Sequence, residues 1–165
     1  MIVRPETARD RDGSLAVERA AFGREEEVEM IRAVRDEPAS FALVGEEDGE
    51  VVGHVQMSAA SIGDDVVFAL GPIGVRPDRQ GKGVGSALVR EALSEANRRG
   101  APAVILVGSP AYYGRFGFEA APTLGLPNPF AGEIPDEDVL VARLDEAGAR
   151  LEGPMRWHPA FGQPG

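Results

Sequence analysis

The sequence predicts an α/β (α+β) domain, and three patterns predict it. Short apolar runs at Phe41–Val44 and Val51–Met57, joined by an acidic link containing Gly49, read as a β-hairpin. Leu88, Val89, Ala92, Leu93 and Ala96 recur at helical spacing after a glycine-rich turn and mark one apolar helix face. Val104-Ile105-Leu106-Val107 is a continuous apolar run, as expected of a central strand covered on both faces. At 165 residues the chain suits one substantial core and is short for two, so residues 1–165 are expected to form a single domain.

The remaining elements follow in order. Residues 2–4, which open on the apolar pair Ile2-Val3, are short enough for an edge strand. Asp10 or Asp12 is placed to cap a helix carrying Leu15, Val17, Ala20, Ala21 and Phe22, which Gly23 breaks. A second helix is expected from about Glu25 to Arg35, with Val28, Met30, Ile31 and Val34 on one side, acidic residues in its first turn and Pro38 ending it. Val66–Leu70 leads into Gly71-Pro72-Ile73-Gly74-Val75, where glycine and proline interrupt an ordinary ladder and predict a bulged or splayed strand. Gly100 closes the long helix, and Tyr112–Phe118 forms a compact turn or short helix. The proline- and glycine-rich stretch 123–135 reads as a lid or binding loop, followed by a strand at Val139–Leu144 and an aromatic segment at Trp157–Phe161.

Composition narrows the chemistry. With 43% hydrophobic and 27% charged residues the chain is expected to fold rather than remain disordered. It contains no cysteine, which excludes disulfides, thiolate metal sites and a cysteine nucleophile. A formal net charge of −10 opposes nonspecific binding to nucleic acid or an anionic membrane, although such a charge is also what keeps a surface soluble. The first residues, Met1-Ile2-Val3-Arg4-Pro5-Glu6, lack a basic region followed by an apolar one, so a cytoplasmic location is the expectation.

The most informative segment is Gln80-Gly81-Lys82-Gly83-Val84-Gly85-Ser86, three glycines at alternate positions where a strand gives way to a helix. Without Cβ atoms the chain can turn tightly and aim several N–H groups at one anion, and the new helix adds the positive end of its dipole. A diphosphate suits such a turn. The Walker loop requires Gly-Lys-Ser/Thr at its end, and this segment ends Gly85-Ser86. The dinucleotide fingerprint G-x-G-x-x-G follows a first strand, whereas this G-x-G-x-G stands in mid-chain behind a hairpin. Lys82 is placed to screen phosphate charge and equally to be a solvated lysine.

With Val75-Arg76-Pro77 upstream, the segment resembles the signature of GNAT-type N-acetyltransferases, in which these amides hold the coenzyme A pyrophosphate. Gly108-Ser109-Pro110-Ala111-Tyr112-Tyr113-Gly114-Arg115-Phe116-Gly117-Phe118 resembles the same family's aromatic-Tyr-x-x-x-Gly-Phe element. Flanking residues, Ala21-Phe22-Gly23-Arg24 early and Trp157-His158-Pro159-Ala160-Phe161 late, are similar to the YhbS-like branch of that superfamily.

The resemblance implies a GNAT fold: a mixed, mostly antiparallel sheet of about six to seven strands, splayed between two parallel strands, with helices on both faces. It implies that Ile73, Gly74 and Val75 meet the pantetheine arm of acetyl-coenzyme A. It assigns cofactor contacts to Gln80, Gly81, Lys82, Gly83, Val84, Gly85 and Ser86, and to Ser109, Tyr113 and Phe116. Tyr113, which composition alone would make a core residue with its hydroxyl at the edge, takes the general-acid position toward the departing thiolate. The implied reaction moves an acetyl group to a primary amine, small molecule or peptide, by direct attack in a ternary complex and without metal. A non-catalytic acyl-coenzyme A-binding module is the alternative, and relatives that dimerise through late strands leave a homodimer open.

The pattern departs from the family at one place. Many members carry a carboxylate on the strand before the valine-x-proline, where it draws a proton from the amine, and here Gly71-Pro72 stands there. Glu27 is the candidate replacement base, and His54 is a second with a suitable intrinsic pKa. Taken alone, the Glu25–Glu29 cluster reads as a solvated helix start and a strand histidine as structural.

Overall fold

The computed structural model describes residues 1–162. In chain order the elements are β1 (Ile2–Pro5), α1 (Arg11–Phe22), α2 (Glu26–Val34), β2 (Phe41–Glu47), β3 (Glu50–Ile62), β4 (Asp65–Val75), α3 (Val84–Arg98), β5 (Ala103–Val107), α4 (Pro110–Tyr113), β6 (Glu119–Ala120), β7 (Val139–Arg143) and β8 (Met155–Arg156). The strands join in the order β1-β2-β3-β4-β5-β7-β6, with β8 on β3. β4 and β5 pair in parallel through Phe68↔Val104 and Ala69↔Ile105, whereas β1/β2, β2/β3, β3/β8, β5/β7 and β6/β7 pair antiparallel. The mixed, mostly antiparallel sheet is as expected, with eight strands instead of six or seven. The extra ones, β6 and β8, are two residues long, too short to display a period in sequence. No helix among the described residues is long and apolar enough to cross a membrane.

The chain divides into two units, one of residues 1–58 and 70–92, the other of 59–69 and the described residues from 93 onward. In the first, β2 and β3 form the expected hairpin. Asp48 and Gly49 both take positive φ (50° and 80°), the twist that a two-residue hairpin turn requires. The helix α1 begins at Arg11 and stops at Gly23, whose φ of 68° is left-handed. Asp10 does not cap α1 with its side chain. It accepts instead from the N–H and hydroxyl of Thr7 (2.7 and 2.9 Å) and from both terminal nitrogens of Arg4 (2.7 and 2.9 Å). These contacts hold its carboxyl well below the ordinary aspartate range, the Arg4 bond being the largest cause.

Helices lie on both faces of β3 within this unit, and glycine sets how closely they approach. A Cβ at Gly53 would stand 2.7 Å from Val84 Cγ1 and 2.9 Å from Leu88 Cδ1, so α3 rests directly on that face. His54 points the other way, toward Glu18 of α1. Leu15, Val28 and Ile31 join α1 to α2 in a small apolar cluster. The apolar stripe of α1 differs from expectation: Ser14, Leu15, Val17 and Glu18 are buried, while Ala20 and Phe22 are exposed.

The second unit is built around β5, whose Ala103–Leu106 are fully buried, with Ile105, Val139, Val141, Met155 and Trp157 in one core cluster. Gly100 ends α3 as expected: its N–H bonds the carbonyl of Asn97 and that of Ala101 bonds Ala96, a Schellman arrangement. The 123–135 segment corrects the reading as a lid. Leu126 and Phe130 are buried, and the Phe130 ring stands edge-on to Trp157 at 5.2 Å. Asn128 accepts from the Phe130 N–H (2.7 Å) and donates to the Ile134 carbonyl (2.8 Å). An opening lid would have to withdraw a phenylalanine from the core, so proline and glycine here serve turns and not movement.

Replacement of Gly53 by valine should lower stability by about 1–3 kcal/mol through overpacking against Val84 and Leu88. Urea unfolding followed by circular dichroism would read this as a lower midpoint with an unchanged slope.

Candidate active site

The glycine-rich turn belongs to the first unit. After Val75 the chain makes a short 3-10 turn at Pro77–Arg79, then runs through Gln80–Gly83 into α3. Gly81 and Gly83 have φ of 74° and 88°, a conformation that residues with a Cβ avoid, and nothing stands within 4 Å of where a Cβ would be. The chain therefore needs glycine here for its backbone path. The N–H of Ala87 bonds the Gly83 carbonyl, which starts α3 there, and the N–H groups of a helix's first turn have no acceptor within the helix. Gln80 to Gly83 are exposed, and Gln80 donates its side-chain amide to the Val75 carbonyl (3.0 Å), tying the turn to the end of β4.

Expected site residues separate into two groups. Ile73, Gly74 and Val75, with Gln80 to Ser86, lie together in the first unit. Within this set the Val84 side chain is core, packed over Gly45 and Gly53, so only its backbone is available to a ligand. Ser109, Tyr113 and Phe116 lie together in the second unit, directly after β5. The exposed Ser109 precedes α4, and its carbonyl accepts from the N–H groups of Tyr112 and Tyr113.

Tyr113 is held by aromatic packing. Its ring stacks on Tyr112 at 4.9 Å and meets the edge of Phe118 at 5.7 Å, with Phe116 at 6.3 Å. Gly108 makes room for it, since a Cβ there would stand 2.6 Å from Tyr113 Cε2. The hydroxyl has no hydrogen-bond partner among the described residues. Burial, with a smaller contribution from Tyr112, pushes the phenol up to about 12, so it stays protonated at neutral pH and available to donate.

Glu27 and His54 are both buried in the first unit, in different states. The exposed Arg24 donates to Glu27 through Nε (2.9 and 3.1 Å) and Nη2 (2.5 Å), and these bonds lower the Glu27 pKa. A carboxylate clamped by a guanidinium is a weak proton acceptor, which counts against Glu27 as the base. Burial pushes His54 down to about 4, leaving it neutral.

Sequence reasoning missed Glu18. It is fully buried on α1, its Oε1 is 3.6 Å from His54 Nδ1, and neither oxygen has a hydrogen-bond partner among the described residues. Burial first, and the nearby charge of Glu27 second, push it up to about 9. Its signal was present in the sequence, a charged residue three positions after Leu15 within the apolar stripe of α1. On its other side Glu18 meets β4, because a Cβ at Gly74 would run into Glu18 Oε1. A separate cavity of about 970 Å³, lined by Arg4, Asp10, Gly13, Ala16, Glu50 and Arg76 among others, contains none of the expected site residues.

A family model described as an acetyltransferase (GNAT) domain matches residues 2–121. An uncharacterised N-acetyltransferase of Escherichia coli, YhbS, is 34% identical over 125 residues, covering 73% of this chain and 75% of that protein. The crystal structure of Escherichia coli YhbS in complex with coenzyme A superposes with a TM-score of 0.90 at 28% identity, over 99% of this chain and 93% of that one. A GNAT-family acetyltransferase from Brucella melitensis in complex with acetyl-coenzyme A superposes with a TM-score of 0.80 at 32% identity, over 97% of both chains.

The linked pKa of Glu18 gives a stability test. Between about pH 4.5 and 9 its carboxyl is ionised in the unfolded chain and protonated in the folded one, so the folded state holds more protons and stability falls as pH rises. Glu18→Gln removes this loss. The melting temperature of the variant relative to the parent should therefore climb from pH 5 to pH 9, measured by calorimetry at each pH.

Proposed function

The chain belongs to the GNAT acetyltransferase family, and we propose that it transfers the acetyl group of acetyl-coenzyme A to a primary amine by direct attack in a ternary complex. The observation that carries this reading is the Gly81/Gly83 turn opening α3, a cradle of backbone donors suited to a diphosphate. The two relatives described with coenzyme A and acetyl-coenzyme A support the choice of donor. Backbone groups of Ile73, Gly74 and Val75 would receive the pantetheine arm, and the N–H groups of Gly81 to Ser86 the pyrophosphate, with Lys82 adjoining it. Ser109, Tyr113 and Phe116 would complete the cofactor contacts. We read both units as one acetyltransferase domain, since β3, β4 and α3 each run through both.

In this reading the amine nitrogen attacks the thioester carbonyl, the C–N bond forms, the C–S bond breaks and the thiolate leaves. The chain has no cysteine to carry an acyl intermediate, which favours direct transfer. Tyr113 acts on the departing sulfur. With its pKa at about 12 the phenol is a weaker acid than a thiol, so its contribution is a hydrogen bond that stabilises the developing thiolate more than a completed proton transfer. The acceptor is an amine, small molecule or peptide.

Two measurements test these assignments. Tyr113→Phe should reduce kcat by about 10²-fold or more while leaving the Kd for acetyl-coenzyme A within about threefold, measured by thiol release over an amine panel and by calorimetry. Unchanged turnover would reject the thiolate role. Gly83→Val forces a β-branched residue into φ near 88°, a strain of about 1–2 kcal/mol or more, and should weaken acetyl-coenzyme A binding about tenfold or more in calorimetry.

A further inference from the structure

We propose that Glu47 and Glu50, at the tip of the β2–β3 hairpin, are positioning residues that hold the coenzyme A turn in its binding shape through an ionic ring with Arg76, Asp78 and Arg79. The proposal rests on the reading of Gly81 to Ser86 as the pyrophosphate cradle, and it adds the hairpin as the part that steadies it. Arg79 donates from Nε to Glu47 Oε2 (2.6 Å) and from Nη1 to Asp78 Oδ2 (3.2 Å). Arg76 donates from Nε to Asp78 Oδ1 (2.7 Å) and from Nη1 to Glu50 Oε2 (3.0 Å). Glu47 and Glu50 are partners in the β2–β3 register, which closes the ring.

The hairpin by itself disfavours this arrangement. Glu47 and Glu50 stand opposite each other on the last rung before the Asp48-Gly49 turn, and like charges directly opposite on neighbouring strands repel. The segment 76–79 supplies one arginine to each carboxylate and sets Asp78 between the two arginines, so the charges alternate. Asp78 is held ionised, its carboxyl drawn below the ordinary range by the bond to Arg76 first. A single exposed ion pair contributes little, whereas linked pairs in good geometry contribute more. The side chains of Arg76, Arg79 and Glu47 are 29%, 31% and 29% exposed, so most of each is sheltered from solvent. A sequence that places a repelling pair at a hairpin tip and then cancels it from another segment breaks a local rule, and such breaks mark a tertiary purpose.

That purpose follows from what the segment leads into. The Arg76 N–H bonds the Val52 carbonyl (2.8 Å), the Arg79 N–H bonds the Arg76 carbonyl (2.8 Å), and Gln80 ties back to Val75. Gly81 comes next. Gly81 and Gly83 have no side chains to pack, and open space surrounds the places where Cβ atoms would stand, so the cradle is fixed from its ends and not by contacts of its own. A free glycine loop has many conformations, and binding must then order it at the expense of affinity. The ring anchors the residues directly upstream to the sheet, and the cradle's N–H groups are oriented before the diphosphate arrives.

Charge alone gives the opposite effect. The diphosphate is anionic, and Glu47, Asp48 and Glu50 belong to the hairpin end bonded to its cradle segment. If these carboxylates acted only through their fields, removing any of them would tighten donor binding. In the ring, removing Glu47 instead detaches Arg79 from the hairpin and loosens the turn. The sign of the change in affinity therefore separates the two accounts.

The test is calorimetric titration of acetyl-coenzyme A into the full chain and its variants. Glu47→Gln should raise the Kd about fivefold although it removes a negative charge, and Arg79→Gln should raise it at least as much. Adding Glu47→Gln to Arg79→Gln should change the Kd less than about twofold, because the bond between them is already gone. Asp48, which has no ion pair among the described residues, is the control for charge, and Asp48→Asn should leave the Kd within about twofold. A Kd that Glu47→Gln lowers or leaves unchanged overturns the ring. So does a second rise of similar size in the double variant, or an equal rise with Asp48→Asn. These outcomes leave the donor reading standing, whereas a parent chain that does not bind acetyl-coenzyme A overturns that reading and the ring with it.

Discussion

Close approach through glycine is the constraint from which the first unit follows. Gly53 on one face of the sheet and Gly74 on the other remove the side chains that would hold helices away, so α3 and α1 come down onto the strands. That proximity produces the burial on both sides. Val84 and Leu88 become core, and on the opposite face a carboxyl and an imidazole are shut off from water. A standard sheet-to-helix spacing would leave room for water around Glu18 and His54, and their pKa values would then lie near the ordinary ones.

The same constraint gives the unit its chemical character. Among carboxylates, Asp10 and Glu27 are pinned by arginines and stay ionised, while Glu18 has no cation against it among the described residues and is held neutral by desolvation. The proton affinities differ because an arginine bond dominates at Asp10 and Glu27, whereas desolvation dominates at Glu18. Divergent environments of this kind are created by packing, which sets the proton affinities of neighbouring carboxyl groups apart.

In the second unit the aromatic group after β5 plays the equivalent part. Gly108 lets the Tyr113 ring lie against the backbone, Tyr112 and Phe118 hold it, and the hydroxyl is left without a hydrogen-bond partner among the described residues. The 123–135 segment, by contrast, is fastened by Asn128 and by the Phe130–Trp157 contact, and contributes stability where its composition suggested movement. Proline and glycine report that a chain turns, and they do not report whether its apolar residues reach a core.

The sequence by itself determined the hairpin at Asp48-Gly49, the stop at Gly23, the Schellman end of α3 at Gly100 and the buried strand β5, because each depends on backbone propensity or local apolar period. It also determined the glycine turn at 80–86, since positive φ is a demand on residue type and is visible without a neighbour. Tertiary structure alone decided that Glu27 is clamped by Arg24, that Val84 is core, and that Glu18, His54, Glu6 and Arg35 meet from four separate segments. Proton affinity is set by distance and dielectric, which no local pattern encodes. A charged residue in the stripe of α1 showed where to look, and only the packing against Gly74 showed what it faces.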